Sequence, residues 1–278
     1  MIENDSERQL RRDLKWAVAS PLLMRGADLG QVVSGHGLPA PQDRYAGHRV
    51  GHYFETLLDY WLRIEAGVEM LAHGLQIRDG GRTLGELDFV FRNRQDRVCH
   101  WEVAVKFYLY CADRQVAGSH FIGPNARDTF ERKWDRMQRK QLPLCRQVFP
   151  HVEECSAFVK GRIFYHPEQV EPARLPEGLM PDHLKGIWLR HSELAWLEAA
   201  SQEREWVFCV LQKPLWLAPV SLGETDTAPM GFEPFKSDLD RHFLHCDHPI
   251  LVGALRQGNG GWEEHERLFI VSDLWPGS

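Results

Sequence analysis

Residues 84–107 read LGELDFVFRNRQDRVCHWEVAVKF, and this stretch decides the fold. Successive side chains of a strand point to opposite faces. In the first half, Glu86, Asp88 and Val90 therefore face one way while Leu87, Phe89 and Phe91 face the other. In the second half, Trp101, Val103, Val105 and Phe107 share one face, and His100, Glu102, Ala104 and Lys106 share the opposite one. The intervening RNRQDR is turn-like, so the two strands are expected to pair as an antiparallel hairpin.

Working outward, RVGHYFETLLDYWLRI upstream puts Val50, Phe54, Leu57, Leu58 and Trp61 on one side of a helix. Glu55 falls on the border of that stripe, where its carboxylate can follow the edge of the core toward a site or simply meet solvent. A short first strand is expected around Leu75 to Ile77. Downstream, ARDTFERKWDRMQRK forms an amphipathic helix with Phe130, Trp134 and Met137 inward, and FVKGRIFYH forms a further strand. The expected order is helix, three strands, helix, strand.

Beyond this core, an N-terminal helix carries Leu10, Leu14 and Ala17 on one face and stops at Pro21, and a Gly- and Pro-rich connection runs from Gly26 to Gly47. Prolines 167, 172, 176 and 181 mark a break. REWVFCVLQKPLWLAPV and a hairpin turning at Gly-Asn-Gly-Gly then indicate an α/β or β-rich addition. The expected division is 1–46 for the N-terminal helix and connection, 47–166 for the core, and 167–278 for an accessory region packed on it.

Asp88, Glu102 and Lys106 lie on strands that are otherwise strongly apolar. An unpaired ion held away from water costs several kcal/mol, so such charges need a partner. A divalent cation would reconcile the pattern, because carboxylates are hard oxygen ligands and the metal offsets the cost of burying them. A lysine on the same face would then hold a water or stabilise developing charge.

GELDFVF followed by HWEVAVKF, with Glu55 on the preceding helix, resembles the PD-(D/E)XK restriction-endonuclease-like superfamily. More narrowly, RRDLKWAVASPLL, RTLGELDF, EVAVKFYL and FIGPNARD are similar to segments of the bacterial "domain of unknown function 1853" family. The resemblance implies an α/β, restriction-endonuclease-like fold: a mixed sheet flanked by helices. It also implies Mg²⁺ or Mn²⁺ held by Asp88, Glu102 and Glu55, with Lys106 completing a catalytic set that hydrolyses nucleic acid, DNA in the first instance. His100 and Glu86 share the relevant faces and rank second.

The motif departs from the family pattern in one respect. Three residues separate Glu102 from Lys106 where the superfamily has one. Alternation keeps both groups on one face but shifts one of them by about 6 to 7 Å. Either Glu102 stays a ligand and Lys106 reaches back, or Lys106 keeps the usual place and Ala104 stands where a carboxylate is expected. The second case points to a nucleic-acid-binding or scaffold protein that has lost turnover.

From Arg127 to Arg146 there are seven basic residues against three acidic ones, a local surplus in a chain of formal net charge −6. Such a surface suits phosphate. Arg127 is expected to bind the nucleic acid, and Lys133 and Gln141 to lean toward the site. A solvated helix face is the simpler account of any one of these basic residues. RHFLHCDH, with His242, His245, Cys246 and His248, offers zinc donors at a spacing that completes no structural tetrahedron.

Six scattered cysteines form no disulfide framework, and reduced thiols are expected. No P-loop and no Gly-x-Ser-x-Gly turn is present, which sets aside nucleotide-driven motors and serine hydrolases. No apolar run nears the roughly 20 residues of a membrane span, and the first residues are too polar for a secretory leader. A cytoplasmic protein without a membrane partner is expected.

Overall fold

Two adjacent glycines turn the first hairpin. Gly80 and Gly81 both have positive φ, 51° and 86°, and join β1 (Glu69–Asp79) to β2 (Arg82–Arg92). A two-residue loop of this kind matches the twist of the strands it joins. In the computed structural model the described residues are 5–27, 49–64, 66–223, 229–258 and 260–277. The connection expected from Gly26 to Gly47 lies outside them from position 28 onward, as does Asn259 in the turn of the C-terminal hairpin.

Strand β1 is much longer than the segment Leu75 to Ile77 expected from the sequence. It is a largely exposed edge strand that pairs with β2 from Glu69↔Arg92 to Asp79↔Arg82. An edge strand needs little apolar alternation, so its residues reveal it poorly. Strand β2 pairs antiparallel with β3 (Val98–Tyr110), as expected, and β3 runs parallel to β5 (Glu154–Tyr165). The short β4 (Phe121–Ile122) returns against the end of β3.

The C-terminal strands extend the same sheet. Strand β6 (Leu184–Arg190) lies parallel to both β5 and β10 (Gly261–Val271), and β9 (Ile250–Gly258) and β7 (Val207–Val210) complete the far edge. Strand β8 (Ser221–Leu222) sits off this path against β10. The chain is thus α/β, a mixed ten-stranded sheet flanked by helices, with parallel strands at its centre and antiparallel hairpins at both ends.

Helices α1 (Asp5–Ala19) and α2 (Val50–Ile64) bury Leu14, Phe54, Leu57, Leu58 and Trp61 together with Trp101 and Phe158 of the sheet. At about 25 cal/mol per Å² of apolar surface, this burial is a dominant stabilising term. The end of α1 is held by a buried cation: Lys160 donates to the carbonyls of Val18, at 3.2 Å, and Ser20. A positive charge suits the C-terminal end of a helix dipole.

The helix expected over 126–140 begins later, at Phe130. Thr129 caps it, its hydroxyl accepting from the Arg132 N–H at 3.3 Å. Helix α3 (Phe130–Arg136) runs into a π-helical turn, Met137–Gln141, and then α4 (Leu142–Leu144). Phe130, Met137 and Leu142 pack on Tyr108, Val159 and Ile163. In the other half, α5 (Leu194–Arg204) and α6 (Phe232–His245) cover Phe208, Val252, Leu268 and Ile270.

Candidate functional site

The β2–β3 ladder runs from Arg92↔Val98 to Phe89↔Trp101. Continuing that register would pair Asp88 with Glu102, and there the ladder ends. The N–H of Val103 donates instead to the Asp88 carboxylate at 2.8 Å. The strands separate where the two acidic residues stand, so a side chain satisfies a backbone donor that a regular sheet would have paired.

Glu102 is fully buried, and both of its oxygens are engaged. Oε1 lies 3.0 Å from His100 Nε2, and Oε2 accepts from Gln141 Nε2 at 2.5 Å. Gln141 in turn accepts from Lys133 Nζ at 3.0 Å. Lys133 on α3 and Gln141 at the end of the π-helical turn are thus joined to the strand carboxylate. A π turn changes the rotational register of a helix, and such turns are frequent at functional sites.

The charges in this cluster strain one another. Burial pushes the Asp88 carboxyl up to about 7, the charge of Glu102 adds to the rise, the Val103 N–H opposes it, and Glu55 adds a little more. Glu55 is itself raised, first by burial, with His52 opposing and Glu86 and Glu102 contributing. Burial lowers Lys133, as does the neighbouring Lys106, against the pull of Glu102 and Asp88. Glu55, Asp88, Glu102, Lys106 and Lys133 therefore share one electrostatic neighbourhood.

Lys106 does not turn back toward Glu102. Its Nζ is 2.8 Å from Asp128, whose carboxylate also accepts from Tyr108 at 3.5 Å. The lysine linked to Glu102, through Gln141, is Lys133. Asp128 is not among the site residues expected from the sequence, although it ends the segment FIGPNARD and stands just before the Thr129 cap. His100, ranked second from sequence, is buried in direct contact with Glu102. Burial alone would lower its ring, but the Cys155 thiol and Glu102 raise it to about 9.

Arg127 is exposed and lines a groove of about 440 Å³ with Asn125, His248 and Trp275. Among the described residues, no three His, Cys, Asp or Glu side chains are grouped so as to hold a metal ion as they stand. In RHFLHCDH, which ends α6, His242 Nε2 instead lies 2.8 Å from the His248 carbonyl. No helix among the described residues is long and apolar enough to cross a membrane.

Fold and site together define an α/β protein with a mixed ten-stranded sheet and a carboxylate cluster, Glu102 buried and Asp88 and Glu55 half-buried, where two of its strands part. The model of the family described as Domain of unknown function (DUF1853) matches residues 31–271, and the chain belongs to that family. Neither curated proteins nor solved structures give a match.

Proposed function

We propose that this protein is a divalent-metal-dependent nuclease of the PD-(D/E)XK superfamily, with a restriction-endonuclease-like core, that hydrolyses DNA phosphodiester bonds. The observation that carries the reading is the meeting of Asp88 and Glu102 where β2 and β3 separate, with Glu55 close enough to raise Asp88 further. Carboxylates pressed together at this cost form a hard-oxygen donor set, the chemistry that suits Mg²⁺ or Mn²⁺.

Asp88 and Glu102 would hold the ion, with Glu55 completing the set directly or through water. A bound cation supplies a water of lowered pKa and charge to balance the phosphate. Glu102 is kept in place by His100 and Gln141. Lys133 and Lys106 bring positive charge to the side of the site where an anionic substrate would lie, and exposed Arg132, Arg136 and Lys140 continue it along the helix.

A second reading, a nucleic-acid-binding or scaffold protein without turnover, is favoured by one observation. Lys106 is engaged by Asp128, and both Glu102 oxygens already have protein partners. The two readings separate in one experiment: Mn²⁺ calorimetry on the wild type and Asp88→Ala, with both proteins tested on a mixed DNA panel. The nuclease reading expects binding and cleavage to be lost together in a folded variant. Salt-sensitive DNA binding without a product at any metal concentration favours the second reading, and cleavage retained by Asp88→Ala overturns the site.

A further inference from the structure

His100 and Cys155 are register partners on the parallel strands β3 and β5. Side chains opposite one another on neighbouring strands, about 4.8 Å apart, stand on the same face. His100 is fully buried, with Nε2 on Glu102, while its Nδ1 has no well-aligned hydrogen-bond partner. Cys155 is half-buried and lines a cavity of about 640 Å³ among the described residues, beside Ser156, Trp134 and Arg139. Cys145, fully buried just after α4, packs in the same apolar cluster as Cys155.

We propose that Cys155 is a reactive thiol opening on this cavity, and that Cys145 is its resolving partner, so that hydroperoxides convert the pair to a disulfide. The contrast with the other cysteines supports the assignment. The contact with Cys145 outweighs burial and, with His100, lowers the Cys155 thiol, while the same contact raises Cys145. Burial pushes Cys99 and Cys111 up to about 11 and raises Cys209 as well. Cys209 and Cys246 are as open to solvent in kind as Cys155, so exposure alone does not set it apart. A thiolate is the nucleophilic form of cysteine.

In the first step the Cys155 thiolate attacks one peroxide oxygen. An S–O bond forms as the O–O bond breaks, and the leaving alkoxide or hydroxide takes a proton from water. This yields a sulfenic acid and an alcohol or water. The Cys145 sulfur then attacks the sulfenic sulfur: the S–S bond forms, the S–O bond breaks, and the hydroxyl departs as water with the Cys145 proton. The two sulfurs lose two electrons in all, and the peroxide gains them. The disulfide would tie the segment just beyond Gln141 to β5.

The inference does not depend on the nuclease reading, and its readout is thiol chemistry alone. Wild-type protein at pH 7 is treated with one equivalent of hydrogen peroxide, alkylated and mapped by peptide mass. A Cys145–Cys155 crosslink reversed by dithiothreitol is expected. In Cys145→Ser, dimedone should trap a sulfenic acid at Cys155. At pH 6, iodoacetamide should label Cys155 of the wild type at least about tenfold faster than Cys209 and Cys246. Equal labelling of the three would overturn the reactive thiol. A trapped Cys155 sulfenic acid without the crosslink in folded wild type would overturn the role of Cys145.

Discussion

Two clusters of charge lie in the two halves of the sheet, and they are settled in opposite ways. On β10, Arg267 meets both oxygens of Glu264 at 2.6 Å and donates to the carbonyls of Trp216, Leu217 and Ala218 at 2.7, 3.0 and 2.8 Å. That cation is saturated and almost wholly buried, so it serves as a structural peg. At β2 and β3, burial and the charge of Glu102 raise Asp88, His100 meets only Glu102 of the two, and the nearest lysines are engaged elsewhere or only through an amide. Charge that the fold itself neutralises reads as architecture, whereas charge left unbalanced marks a place prepared for something else.

The largest effect expected from breaking this contrast is at the structural peg. Arg267→Met leaves Glu264 buried without its cation and should cost about 3 to 5 kcal/mol of stability by urea unfolding. Mn²⁺ affinity of the remaining folded protein should be unchanged. A loss below about 1 kcal/mol would show that the two clusters do not differ as described.

The carboxylate cluster should behave in the reverse manner. Asp88→Asn keeps an acceptor for the Val103 N–H while removing a charge that burial and Glu102 disfavour. In metal-free buffer at pH 8 it is expected to stabilise the fold by about 1 kcal/mol, a rise of about 2 to 4 °C in Tm. The folded pKa of Asp88 is raised to about 7, so its contribution is fully present below the unfolded value near 3.8 and is lost as pH rises through 7. The variant's advantage should therefore vanish by pH 4, and calorimetric scans across that window would reveal the opposite trend if the sign is wrong.

Metal binding sharpens the same comparison. Under the proposed reading an ion held by Asp88 would displace its proton, so Mn²⁺ should raise the wild-type Tm more at pH 8 than at pH 5.5, and release protons in calorimetry run in two buffers of different ionisation enthalpy. An equal shift at both pH values would remove Asp88 from the ligand set.

The smallest effects concern the two lysines. Lys106→Met breaks a partly exposed pair with Asp128 and should cost less than about 1 kcal/mol. Lys133→Met deprives Gln141 of its donor, so under the proposed nuclease reading it should reduce DNA cleavage at least as much as Lys106→Met. Turnover falling only in Lys106→Met would return the catalytic role to the strand lysine.

Much of this fold can be read along the chain. The alternation in residues 84–107 announces β2 and β3, and the stripe Val50–Trp61 announces α2, because a single buried face imposes its period on the residues. Strand β6 and helix α5 went unread. LKGIWLR is short and broken by glycine, and LAWLEAASQER has apolar groups spread around its circumference, so neither carries a clear period.

The site divides along the same line. The residues themselves determined that Asp88, Glu102 and Lys106 are charges on apolar strands, and that Glu55 edges a helical stripe, since those facts follow from periodicity alone. Only the tertiary structure decided where the charges go. The β2–β3 ladder stops at Phe89↔Trp101, Lys106 turns to Asp128, and a π-helical turn brings Gln141 and Lys133 to Glu102. These are contacts between residues up to 39 positions apart. They depend on how one element lies over another, and local side-chain pattern carries no record of that.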